Sequence, residues 1–157
     1  MALKIKILAV GGKMPEWVRS GYDEYARRMP AELKPQLAEI PLGQRRKGEA
    51  ATRAKAQEGR AIGDHLKPDD HVIALAVDGQ PWSTEQLAVR MRAWQAGGRD
   101  VCLLIGGPDG LNDECLARAD QCWSLSALTL PHALVRVVLA EQLYRAWSIN
   151  AGHPYHR

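Results

Sequence analysis

Two stretches of this chain are apolar without interruption: VIALAV over residues 72–77 and VCLLI over residues 101–105. A strand with one wet face alternates polar and apolar side chains. Unbroken runs of this length belong to strands covered on both faces, as in a parallel sheet flanked by helices. Parallel strands also cannot be joined by a two-residue turn, so crossover helices must lie between them. These two runs therefore commit the chain to an α/β architecture before any other residue is considered.

The remaining segments supply the crossovers. Residues 3–10 (LKIKILAV) read as a first strand. Residues 15–28 open with Pro15 and carry Trp17, Val18, Tyr22 and Tyr25 at helical spacing. A short strand over 36–40 is closed by Pro41, and 49–66 is rich in the helix formers Ala, Lys, Arg and Glu. After the strand at 71–77, Ser83 and Gln86 have capping-box spacing and start a helix running to about Gln95. The strand at 101–105 leads to a helix from Asn112 or Asp113 to Ala119, a strand over 121–125, and a long helix over 132–149 behind Pro131. The order is βαβαβαβαβα, a parallel sheet with helices on both faces. With 157 residues and no linker of biased composition, residues 1–157 form one domain.

Composition excludes several classes. No apolar run approaches the ~18 residues that span a bilayer. The N-terminus alternates with Lys4 and Lys6 and has no cleavage-like site, so it reads as a strand of a cytoplasmic protein, not as a leader. Cys102, Cys115 and Cys122 are odd in number and contain no C-x-x-C, which supports neither a disulfide framework nor a zinc site. The net charge of +3 is modest, but its distribution is uneven. Residues 44–60 hold six Lys or Arg against two Glu, with Arg45, Arg46 and Lys47 in a row. Residues 132–157 hold Arg136, Arg145, Arg157 and three histidines against the single acid Glu141.

In an open parallel sheet, ligands bind beyond the carboxyl ends of the strands. Three strands end in suggestive segments: Asp78–Trp82, Gly106–Gly110 and Ser126–His132. None matches a phosphate loop. The G-x-x-x-x-G-K-[ST] pattern is missing, and Gly106, Gly107 and Gly110 do not have dinucleotide spacing. The helix after the second segment starts Asn112-Asp113-Glu114, whose acids suit a helix N-terminus and repel a pyrophosphate. Gly107–Gly110 also fits a type I turn, with Pro at its second position and Gly at its fourth. Spacing leaves open whether this turn only reverses the chain or also faces a ligand. The Ser126–Pro131 loop is apolar, which suits an adenine ring and a thioether better than a phosphate.

The C-terminus is equally double-edged. Gly152 and Pro154 end the long helix, and His153, Pro154, Tyr155, His156 and Arg157 follow as either a solvated tail or a flap over a site. A metal site from His132, His153 and His156 lacks tight ligand spacing. The long helix is apolar nearly all round, which for a last helix points to a homodimer interface. Arg136 and Arg145 lie nine residues apart, roughly 180° around that helix, so they cannot enter one site of one subunit.

Three motifs occur together: VGGKMP at 10–15, DVCLLIGGPDG at 100–110, and WSLSALTLPHALVRVVLAEQLYRAWSI running to a terminal HPYHR. Jointly they resemble the pseudouridine-N3 rRNA methyltransferases of the knotted SPOUT superfamily, over essentially the whole chain except the looser 44–70 stretch. The resemblance implies a homodimeric α/β fold with a C-terminal trefoil knot and S-adenosyl-L-methionine bound in the knot. It implies methylation of N3 of a pseudouridine in large-subunit 23S rRNA on the assembled ribosome. It places cofactor contacts at Leu75, Gly106, Leu125, Ser126, Ala127, Leu128, Thr129 and Leu130. It makes Tyr155 and His156 base-contacting residues, with Arg145 and His132 positioning or stabilising charge. Which of these, if any, takes the proton stays open. Arg157 and the cluster at 45–47 are weaker candidates for the rRNA backbone. The rival readings are a flavodoxin-like oxidoreductase, which the missing phosphate loop disfavours, and a non-catalytic ribosome-binding factor, which has no need of an apolar cofactor loop.

Overall fold

A computed structural model describes residues 3–156. Five strands form one parallel sheet in the order β2-β1-β4-β3-β5. They are β1 (Ile5–Val10), β2 (Gln36–Ile40), β3 (His71–Pro81), β4 (Val101–Ile105) and β5 (Gln121–Ser124). The helices are α1 (Glu16–Ala26), α2 (Thr52–Gly63), α3 (Thr84–Gly97), α4 (Asp113–Arg118) and α5 (His132–Ala151). Short 3-10 turns cover Ala31–Leu33 and Pro154–His156.

The unbroken apolar runs sit at the centre of the sheet, and β4 is buried along its whole length. Alternate side chains feed two cores. Ile5, Ile7, Ile73, Leu103 and Ile105 face one way, against Tyr22 of α1, Leu87 and Met91 of α3 and Leu139 and Leu143 of α5. Leu8, Val10, Val72, Ala74 and Leu104 face the other, against Ile62 of α2 and Cys115 of α4. Local signals act as the sequence suggests. Ser83 and Gln86 close a reciprocal capping box on α3, and the Asn112 side chain accepts the Cys115 N–H at 3.0 Å to cap α4.

Two features differ from the sequence reading. First, β3 continues past Val77 to Pro81. Leu75 and Gln80 both pair with Trp123, so Ala76–Gly79 bulges out before the strand rejoins β5. The Asp78-Gly79 and Pro81 signals that read as a loop belong to a bulge and a strand end. A Cβ on Gly79 would stand 2.8 Å from the Cys122 carbonyl carbon, so the bulge closes only with glycine there. Second, much of α5's all-round apolarity is used within one chain. α5 leaves the edge strand β5 and lies between α1 and α3. Val137 packs on Gly21, Thr84 Oγ1 donates to Gln142 at 2.7 Å, and Asn150 Nδ2 donates to the Ala88 carbonyl at 2.9 Å. Leu134, Val138 and Trp147 remain only partly covered.

Candidate active site

The carboxyl ends of β3, β4 and β5 surround a cavity of about 660 Å³. The β3 bulge contributes Leu75, Val77 and Asp78, the turn after β4 contributes Gly106, Gly107, Pro108 and Gly110, and the loop after β5 contributes Leu125, Ser126, Leu128, Thr129 and Leu130. Its lining is mainly apolar, with Asp78 the carboxylate among the lining residues. All the expected cofactor positions except Ala127 line it. The β5–α5 loop is held by Ser126, whose carbonyl accepts from Ser124 Oγ at 2.9 Å and whose hydroxyl accepts from the Leu128 N–H at 3.0 Å. Leu128 is 72 % exposed in this loop.

The glycine-rich turn closes as its spacing suggests, with the Gly110 N–H donating to the Gly107 carbonyl at 3.0 Å. A Cβ on Gly106 would meet the Gly110 carbonyl carbon at 2.6 Å and the Leu111 nitrogen at 2.8 Å. One on Gly107 would meet a Val10 methyl at 2.9 Å. The turn's own packing thus demands both glycines, and room for a ligand is an additional consequence.

His132 begins α5 and lines the same cavity. One turn further, Arg136 is buried. Its Nη1 donates to Glu39 at 2.6 Å and its Nη2 to the Gly12 carbonyl at 3.4 Å. This pins the Gly11–Pro15 loop against the start of α5, and Gly11 has φ of +136° there. A buried guanidinium holding a loop is invisible in a helix that reads as apolar.

Arg145, Tyr155 and His156 lie at the opposite end of α5. Arg145 is 13 positions beyond His132, about 20 Å along the axis at 1.5 Å per residue. The tail is folded, not frayed. Glu141 accepts from Arg145 at 2.6 and 2.9 Å and from the Tyr155 hydroxyl at 2.9 Å. Tyr155 packs obliquely on Tyr144 with ring centroids 4.5 Å apart and edge-on to Tyr25 at 6.5 Å. The Arg28 and Arg145 guanidiniums lie over the Tyr155 ring at 6.0 and 5.0 Å. Burial, then the hydrogen bond to Glu141, pushes the Tyr155 hydroxyl above its ordinary value, so it stays a proton donor near neutral pH. The same Glu141 bond raises Arg145 and keeps it cationic. Among the described residues, His156 Nδ1 is buried without a partner. Arg157 lies outside the described residues. In one chain His132 cannot share a metal with His153 and His156, because the length of α5 separates them.

The organising role of Glu141 and the Tyr25–Tyr144 platform were not legible as site features. Glu141 reads as an isolated acid, and the tyrosines reach Tyr155 only through the packing of α1 on α5.

The chain belongs to the SPOUT methyltransferase family: the family model described as "Predicted SPOUT methyltransferase" matches residues 3–156. Within that family it is similar to proteins named ribosomal RNA large subunit methyltransferase H. That of Hahella chejuensis is 59 % identical over 155 residues, covering 99 % of both chains. Those of Chromohalobacter salexigens and Ectopseudomonas mendocina are 56 % and 50 % identical, covering 99 % of this chain and all of theirs.

Proposed function

We propose that this protein is an S-adenosylmethionine-dependent rRNA methyltransferase that modifies N3 of a pseudouridine in the large subunit of the assembled ribosome. The observation that carries the reading is the mainly apolar cavity at three neighbouring strand ends, in a chain 59 % identical to a large-subunit rRNA methyltransferase. The cavity fits the cofactor's chemistry. Its volume is within the range of small-molecule sites, and leucines and exposed backbone suit an adenine ring. The turn's glycines bring backbone close to that space. Leu75, Gly106 and Leu125–Leu130 would hold the group, with Ala127 supporting the loop from outside the lining. Bound there, S-adenosylmethionine would supply an electrophilic methyl on its sulfonium, the S–CH3 bond breaking to release S-adenosylhomocysteine as the C–N3 bond forms and N3 gives up its proton.

The protein's share is mostly placement and charge. His132 at the cavity wall and Arg145 at the tail stabilise the developing N3 anion or orient the base. Tyr155 and His156 contact the base, with the Tyr155 hydroxyl proton held by Glu141. His132 stands about 20 Å along α5 from Arg145 within one chain, so a complete site needs the tail of a second copy. The protein therefore acts as a homodimer, with the half-covered residues of α5 at the interface. Arg46 and Lys47, which pair with no acid among the described residues, face the rRNA backbone. The whole chain forms one domain, and its C-terminal part is knotted as a trefoil. No described helix is long and apolar enough to cross a membrane, and we assign the protein to the cytoplasm, where its ribosome is.

The test is transfer of labelled methyl from S-adenosylmethionine to intact ribosomes carrying unmethylated pseudouridine, with separated subunits alongside. Label on pseudouridine N3, dependent on assembly, is the expected result. No label from folded, dimeric protein overturns the substrate assignment.

A further inference from the structure

Arg45 does not behave as the free cation its sequence neighbours suggest. Its side chain is only 27 % exposed. Nη1 donates to Glu58 at 2.7 Å and Nε donates to Asp109 at 2.8 Å. Glu58 of α2 is 3 % exposed and also accepts the Gly43 N–H at 2.9 Å, while Gln57 accepts the Gln44 N–H at 2.9 Å. A Cβ on Gly43 would stand 2.3 Å from the Ala54 carbonyl oxygen, so loop 41–45 is seated directly on α2. On its other side the loop meets the β4 turn. Asp109 sits between Pro108 and Gly110, which line the cavity, but its own carboxylate points outward onto Arg45.

We infer that Arg45 is a positioning residue: with Glu58 and Asp109 it clamps the Gly106–Gly110 turn from behind, and so sets the shape of the cofactor pocket from the basic loop. The inference rests on reading that cavity as the S-adenosylmethionine site. Partly exposed ion pairs alone contribute little, about 0–1 kcal/mol. Here the decisive partner is Glu58, a buried carboxylate that two donors satisfy, which makes Arg45 costly to remove and fixes its fork. A consequence is that Arg46 and Lys47, next along the loop, are mechanically joined to the pocket turn.

The test uses full-length protein without RNA, so a phosphate contact cannot mimic the effect. Arg45→Gln and Asp109→Asn are titrated with S-adenosylmethionine by calorimetry, and exchange of the Gly110 amide is followed in the same unliganded proteins. Asp109 is the more exposed partner, so its variant keeps the fold even where loss of Arg45 or Glu58 unfolds the protein. Each single variant is expected to bind about tenfold more weakly, and the double variant no worse than either single within about twofold. The Gly110 amide should exchange faster in both. A general loss of stability would lower the melting temperature without this shared, non-additive loss of affinity. Binding within about twofold of wild type in both singles, or additive losses, overturns the clamp. If wild-type protein binds no S-adenosylmethionine, the pocket reading fails. The amide exchange then decides the clamp alone, and unchanged exchange in both variants overturns it.

Discussion

A methyl group on Gly106 would stand 2.6 Å from the carbonyl carbon of Gly110, and nothing flexible is there to yield. Gly106→Ala should therefore destabilise the fold by about 1–3 kcal/mol, read as a lowered denaturation midpoint, and weaken S-adenosylmethionine binding in parallel. An unchanged midpoint would mean the turn relaxes freely. At the other end of α5, Glu141→Gln keeps an acceptor but removes the charge that holds Arg145 and Tyr155 together. Its turnover should fall while cofactor affinity, set by the loops after β3, β4 and β5, stays level. His156→Ala should behave the same way, and unaltered turnover would remove His156 from the mechanism. At this scale the sequence was readable where chemistry is local. The Ser83–Gln86 box, the Asn112 cap and the Gly107–Gly110 turn each act between residues within three positions. Arg45 and Arg136 were not readable in their actual roles, because their acids lie 13, 64 and 97 positions away.

Elements are joined by polar ties that the apolar pattern hides. Asp70, just ahead of β3, is 2 % exposed and accepts from the Lys67 N–H at 2.8 Å, Cys102 Sγ of β4 at 3.4 Å and Lys6 Nζ of β1 at 3.5 Å. Burial pushes its carboxyl up, but those three donors outweigh it and hold the group below its ordinary value. The folded state then gives up this proton more readily than the unfolded chain does. The stabilisation is complete above the unfolded value of about 3.9 and is lost as pH falls below it toward the folded value. Asp70→Ala should cost about 2–4 kcal/mol at neutral pH, and Asp70→Asn should flatten the acid limb of a stability-against-pH curve. An acid limb of unchanged slope would show that Asp70 contributes nothing there. Burial also pushes the Cys102 thiol up to about 12, in keeping with a small core residue and not a reactive one. The parallel sheet and its two covered faces follow from the apolar runs, whereas the strand order does not. The second half of β3 does not, because a bulge with glycine and proline carries the same residues as a turn.

Over the whole molecule, the basic stretch divides by function. Arg45 is tied to Glu58 and Asp109, and Arg46 and Lys47 are the proposed rRNA contacts. Replacing both by Gln should weaken ribosome binding and lower its salt slope by about 1–2, whereas an unaltered slope would make them solvated surface. The apolar cavity at the strand ends was largely readable from those ends and from the apolar loop after β5. From the sequence only Arg136 and Arg145 were separated, by their angle around α5; that His132 and the Arg145–Tyr155–His156 group sit at opposite ends depends on how the loops and the folded tail pack at each end. In the proposed homodimer, one copy's cavity and His132 would work with another copy's Arg145, Tyr155 and His156. The direct test is to co-express His132→Ala and His156→Ala chains under different tags and purify the mixed dimer. Its methyl transfer to ribosomes is then compared with that of each parent dimer. The mixed dimer retains one intact composite site of two, so it should recover about half of wild-type activity while both parents remain low. A verified mixed dimer no more active than its parents would contradict a site shared between copies.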